Sequence, residues 1–145
     1  MTSRVILFEE PERFTVGTVG QPGERTFFIQ AREKNRLISV SLEKAQVSAL
    51  ADRILQILRE VRSSEPLTSF ERVASDDQPL ESPIDEEFRV GVIGLAYVSD
   101  RQLIEIDMQA IAESQFERDE LIEIDTEGDQ DILRVLLPLG YAESF

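Results

Sequence analysis

Two segments far apart in the chain carry the same spaced pattern, Phe14-x-Val16-Gly17-x-x-Gly20 and Phe88-x-Val90-Gly91-x-x-Gly94. A pattern that recurs at long separation implies one structural unit used twice, and this constrains the fold more than any single element can. The surroundings of each copy set the content of the unit. In the first, Arg4 to Glu9 reads as a short edge strand closed by Pro11. Arg13 to Gly20 follows as a strand rich in β-branched and aromatic residues. Gln21-Pro22-Gly23-Glu24 then places proline second and glycine third, the order a type II turn requires because its third residue has positive φ. The return strand runs from Arg25 to Arg32, with Phe27 and Ile29 on one face and Thr26, Phe28 and Gln30 on the other. After the polar turn Glu33-Lys34-Asn35, Arg36 to Leu42 makes a further strand.

From Glu43 to Val61 the period lengthens. Val47, Leu50, Ala51, Ile54, Leu58 and Val61 recur at three- and four-residue spacing and predict an amphipathic helix that packs across a sheet. Residues 66–85 are rich in Ser, Pro, Asp and Glu and read as a linker or mobile loop. The second unit then occupies 86–145. Leu103 to Ala110 matches the Phe27 strand and Ile132 to Leu137 matches Ile38 to Leu42. Aligning Val40 with Val135 sets Glu43 on Pro138, so Pro138 falls in the first helical turn, where a missing N–H does no harm. The second helix is then just starting at the last residues, which predicts a truncated or mobile end. The expected fold is therefore α+β: a duplicated β-β-β-α unit, residues 1–65 and 86–145, forming one cooperative domain. Its antiparallel sheet of six or more strands is covered on one face by helices.

Charge divides the two units. The chain of 145 residues has a formal charge of −14. Residues 1–65 hold ten Lys/Arg against nine Asp/Glu, and residues 66–145 hold five against twenty. An acidic molecule repels phosphate backbones at long range, so any nucleic-acid contact must be local to the first unit. No apolar run approaches the roughly 20 residues of a membrane span, and Met1-Thr2-Ser3-Arg4 does not open a signal peptide. The reading is a cytoplasmic protein with no membrane association, in keeping with the absence of cysteine.

The segment Thr18-Val19-Gly20-Gln21-Pro22-Gly23-Glu24-Arg25-Thr26-Phe27-Phe28, with Ser41-Leu42-Glu43-Lys44, Glu86-Glu87-Phe88-Arg89-Val90-Gly91 and Leu133-Arg134-Val135, resembles an actinobacterial family catalogued as domain of unknown function 3090. The resemblance covers most of the chain. It implies a continuation through the rest of a helix into a tail with paired cysteines and a histidine, and hence zinc in that tail. It implies no established activity, and no cofactor is expected within the present sequence.

The sequence contains no histidine and no cysteine, which removes the usual general base, the thiol nucleophile and the common soft-metal ligands. Three constellations remain. Leu103-Ile104-Glu105-Ile106-Asp107 recurs letter for letter as Leu121-Ile122-Glu123-Ile124-Asp125. If both are neighbouring strands, Glu105, Asp107, Glu123 and Asp125 share a face that needs a cation or a basic partner, the basis of a carboxylate-dependent, metal-assisted enzyme. Solvated strand faces that never meet are the plainer reading. Gly17 and Gly20, with Gly91 and Gly94, could admit an anion to backbone N–H groups, but they lack the lysine and the strand-to-helix context of a phosphate loop. A bulge or a close crossing is the plainer reading for them. Arg25, Arg32 and Arg36 flank Phe28, a basic and aromatic arrangement that single-strand nucleic-acid binders use.

A non-enzymatic binding or adaptor role with a protein partner ranks first. Single-stranded nucleic-acid recognition through Arg25, Phe28, Arg32 and Arg36 is second, and the carboxylate enzyme third. A homo-oligomer is expected if the short second helix leaves apolar sheet surface open.

Overall fold

The computed structural model describes residues 4–64, 78–111 and 130–144. In chain order they form β1 (Val5–Phe8), β2 (Arg13–Val19), β3 (Thr26–Glu33), β4 (Arg36–Leu42), α1 (Lys44–Ser64), β5 (Glu86–Val98), β6 (Leu103–Ala110), β7 (Ile132–Pro138) and α2 (Leu139–Ser144). The strands make one sheet of seven, ordered β1-β7-β6-β5-β4-β3-β2. The fold is thus mixed α+β.

The sheet is not wholly antiparallel, which corrects the expectation from sequence. β4 runs parallel to β5, and β1 runs parallel to β7, while the remaining neighbours are antiparallel. The reason lies in α1. A 21-residue helix placed between β4 and β5 carries the chain back to the start of the sheet, so the next strand re-enters in the same direction.

The two halves agree in part. Ile29 lies opposite Val40 in the β3–β4 pair and Ile106 opposite Val135 in the β6–β7 pair. The repeated glycine motif does not follow. Gly17 faces Phe28, but Glu105, the counterpart of Phe28, faces Ala96, five residues beyond Gly91. β5 is the longest strand, 13 residues, because its first residues pair with β4 and its later ones with β6. That double duty has no equivalent in β2, which lies at the sheet edge.

Alternation along each strand fixes the core. Phe14, Ile29, Ala31, Val40, Leu42, Ile104, Ile106, Met108, Leu133, Val135 and Leu137 join Leu50, Ile54, Ile57, Leu58 and Val61 of α1 and Leu139 and Ala142 of α2 in one buried cluster. Pro138 ends β7 immediately before α2, one position ahead of the expected first turn. Glu43 holds the same position before α1.

On the opposite sheet surface, the end of the segment read as a linker is built into the structure. Residues 66–77 lie outside the described ones, but Gln78–Asp85 crosses the strands of the first half. Gln30, 1% exposed, donates from Nε2 to the Glu81 carbonyl at 2.9 Å and accepts from the Glu81 N–H at 2.8 Å, pairing with that peptide as a neighbouring strand would. Arg13 donates to the carbonyls of Gln78 and Pro79, and Arg32 to the Glu81 carboxylate. Leu80 lies so close to Gly17 that a Cβ there would come 2.7 Å from its Cγ. Glycine at position 17 therefore marks a close crossing.

Candidate functional site

The first hairpin closes as its sequence dictates. The Glu24 N–H bonds to the Gln21 carbonyl at 2.8 Å, and Gly23 takes φ +91° at the third turn position. Gly20, at φ +117°, is needed on the same bend, since a Cβ there would sit 2.6 Å from the Glu24 carbonyl oxygen. This turn stands beside the junction of β4 and α1. Between them lies a cavity of about 450 Å³ lined by Gly23, Arg25, Thr26, Phe27, Ser41, Leu42, Glu43, Lys44 and Arg89.

The start of α1 explains why this cavity stays open. Glu43 precedes the first helical residue and its N–H donates to Gln46 Oε1 at 2.7 Å, half of a capping box. A short polar side chain at Glu43 would fold back to cap the first amides. The Glu43 carboxylate instead pairs with Arg89. The N–H groups of Gln46 and Val47 reach the Glu43 carbonyl at 3.0 and 3.1 Å, and those of Lys44 and Ala45 have no partner among the described residues at the positive end of a long helix. Gln46 Nε2 donates to the Val90 carbonyl at 3.1 Å and holds the helix start against β5.

The charges are uneven. Three cations, Arg25, Lys44 and Arg89, face one carboxylate, Glu43, a local excess of +2 in a chain of −14. Arg25 and Lys44 have no ion-pair or hydrogen-bond partner among the described residues. Ser41 lines the same cavity at 4% exposed, and its hydroxyl makes no hydrogen bond among the described residues. Ser41 stands opposite Phe28 in the β3–β4 pair, so its side chain lies on the sheet face away from Phe27.

The residues singled out from sequence scatter. Arg25 lines the cavity. Phe28 turns to the other sheet face, opposite Gly17 and Ser41, and it is Phe27 that borders the cavity. Arg32 pairs with Glu81 at 3.0 Å. Arg36, at the far end of β3, lies 4.2 Å above the Phe8 ring and donates to the Leu7 carbonyl at 2.8 Å. Arg25, Arg32 and Arg36 are thus not gathered on one surface.

Glu105 and Asp107 do share a face, as alternation on β6 requires, but with Arg134 of β7. The Arg134 guanidinium bonds Asp107 at 2.9 and 3.1 Å and reaches Glu105 at 3.3 Å. Its pKa is raised above the ordinary arginine value, first by the hydrogen bonds to Asp107, against partial burial, and further by the charges of Asp107 and Glu105. A raised arginine pKa means that this attraction is fully present below the unfolded value and is lost only as pH climbs through the folded one, so it is constant across neutral pH. Glu123 and Asp125 lie outside the described residues. Among the described residues no group of three or more acidic side chains is placed to hold a metal ion. Gly91 sits at a register shift between Val90 and Val92, where a Cβ would meet the Ile111 backbone at 3.0 Å.

Sequence reasoning missed Lys44, Arg89 and Ser41. A signal was present. The separated segments that carry the family resemblance, Thr18–Phe28, Ser41–Lys44 and Glu86–Gly91, all contribute to this one cavity. No helix among the described residues is long and apolar enough to cross a membrane. No curated protein and no solved structure matches the chain. The family model described as protein of unknown function DUF3090 matches residues 6–145, and the chain belongs to that family.

Proposed function

We propose that this protein is a non-enzymatic binding module that holds an anionic ligand in the cavity between the β2–β3 turn and the start of α1. The observation that carries the reading is the pair of cations Arg25 and Lys44, unpartnered among the described residues, beside the start of α1 in a chain whose net charge is −14. Side chains on an acidic protein find carboxylates readily. Two cations left without one at a concave site are set for a charge from outside. The cavity also sits at the carboxyl end of β4, where the chain enters a crossover helix, and α/β folds commonly open ligand crevices there. That likeness is one of architecture alone. The one carboxylate that lines the site among the described residues, Glu43, is committed to Arg89, which favours binding over catalysis.

The reading of the two halves as copies of one unit is supported by the matched β3–β4 and β6–β7 registers. It places the ligand site in the charge-balanced copy. Titration with small mono- and dianions, followed by amide resonances, tests the function. Saturable shifts at Lys44 and Ala45 that weaken about tenfold in Arg25→Gln or Lys44→Gln are expected, since a hydrogen bond to a charged group is worth about 1.5–3 kcal/mol. Shifts that never saturate, or that are as strong in both variants as in the unaltered chain, would rule the site out.

A further inference from the structure

Among the described residues the buried polar side chains are Thr15, Gln30, Ser39 and Ser41, and all of them lie on one surface, the face of β2, β3 and β4 turned away from α1. A sheet face that its own chain covers for packing is ordinarily apolar, as the α1 side of these strands is. This face instead presents hydrogen-bonding side chains to the backbone that crosses it. Gln30 pairs with the carbonyl and the N–H of Glu81 at 2.9 and 2.8 Å, and Arg13 donates to the carbonyls of Gln78 and Pro79 at 2.7 and 2.9 Å. Arg32 and Arg13 hold the Glu81 carboxylate at 3.0 and 3.4 Å. Between these contacts Leu80 drops onto Gly17, where any side chain would take its space.

We propose that this face is a peptide-recognition surface which Gln78–Glu81 occupies in cis, and that its partner in trans is an extended protein segment in which a leucine is followed by an acidic residue. The surface lies on the other side of the sheet from Phe27 and does not depend on the anion reading. The chemistry of the seated segment defines the partner. Bonds to main-chain groups give affinity for any extended chain, and side-chain pockets give the selection. The space above Gly17 selects an aliphatic side chain, and Arg13 with Arg32 selects the carboxylate that follows it. The seated segment is also lightly held. No residue of Gln78–Asp85 is buried and none lies in a strand, so the segment can lift while the core cluster stays intact. A partner that repeats its contacts replaces it bond for bond.

Two measurements on the whole chain test this. Hydrogen exchange on the unaltered protein reads whether the segment lifts. The Glu81 amide should exchange at least about a hundredfold faster than those of Ile106 and Met108 in the centre of the sheet, because lifting the segment leaves the strands paired. Exchange of Glu81 at the rate of the core would make the segment a fixed part of the fold and overturn the proposal.

The second measurement follows the Gln30 side-chain amide while a capped peptide with the sequence of residues 78–84 is added. The peptide should bind the Leu80→Ala/Glu81→Ala chain saturably and at least about tenfold more tightly than the unaltered chain, whose own segment competes at a high effective concentration. A peptide that keeps only the Pro-Leu-Glu order, with alanine elsewhere, should bind within about threefold of the first. One carrying Leu80→Ser and Glu81→Gln should bind at least about tenfold more weakly. Should the double variant fail to fold, the same ranking is read on the unaltered chain at about millimolar peptide. Equal binding by all the peptides, or no shift at Gln30, would overturn the assignment. Light scattering of the unaltered chain should show a monomer at all concentrations. A dimer that the double variant cannot form would give the surface to the same segment of a second copy and overturn the partner named above.

Discussion

The two ends of β3 are furnished with the same residue types and put them to opposite uses. At the Glu33 end, Arg36 stacks on the buried Phe8 ring and donates to Leu7, Arg32 is tied to Glu81, and Lys34 takes φ 57° to close the turn. At the Thr26 end, Arg25 and its neighbour Lys44 meet no partner among the described residues. The contrast separates cations that hold the fold from cations free to hold something else. Residue type does not draw that line; the position of the nearest carboxylate, carbonyl or ring does.

Four substitutions break or sharpen this contrast. Gln30→Ala should have the largest effect on stability, about 3 kcal/mol, because it strips partners from the Glu81 peptide and from the Ser39 hydroxyl together. Its urea midpoint checks this, and a change below about 1 kcal/mol would mean that the Gln78–Asp85 segment contributes little to holding the sheet. Next, Gly17→Val should lose about 2 kcal/mol by pressing a side chain into Leu80. The double variant with Leu80→Ala should recover part of the loss, and strict additivity in that cycle would show that the two positions do not touch.

Arg36→Ala removes a cation over a buried ring and one donor to Leu7, and about 1 kcal/mol is expected from thermal unfolding. Arg25→Gln should be smallest, within about 0.5 kcal/mol, because no described residue pairs with its side chain. The contrast is sharpest if this last variant folds normally and binds anions poorly. It collapses if Arg25→Gln destabilises the protein as much as Arg36→Ala.

Much of the architecture was legible because it depends on local periodicity. Arg36 to Leu42 and Leu103 to Ala110 were delimited by alternation as they occur, and the Val47-to-Val61 stripe placed α1. The Gln21–Glu24 turn followed from one proline and one glycine. The parallel β4–β5 pair was not legible, since alternation gives a strand's faces but not its direction. Nor was the displacement of Gly91 from the position of Gly17, because identical motifs fix local shape and leave pairing to whichever strand arrives alongside. Gln78–Asp85 read as linker for a related reason. Its polar composition lacks apolar anchors, and the groups that fasten it, Gln30, Arg13 and Arg32, are all far away in sequence. Of the candidate site, Arg25 was found through its charge beside aromatics, whereas Ser41 and Arg89 were indistinguishable from ordinary strand residues.

The sequence by itself determined the strands, the long helix, the type II turn and the unequal charge of the two halves, because backbone geometry and side-chain period act over a few residues. Only the tertiary structure decided which arginines are spoken for. An ion pair such as Arg32 with Glu81 spans 49 residues, and its formation depends on two remote segments being brought within about 3 Å. The repeated glycine motif belongs to both accounts: its local form was written in the chain, and its two fates, beneath Leu80 at Gly17 and at the bulge of Gly91, came from what the fold laid against each copy.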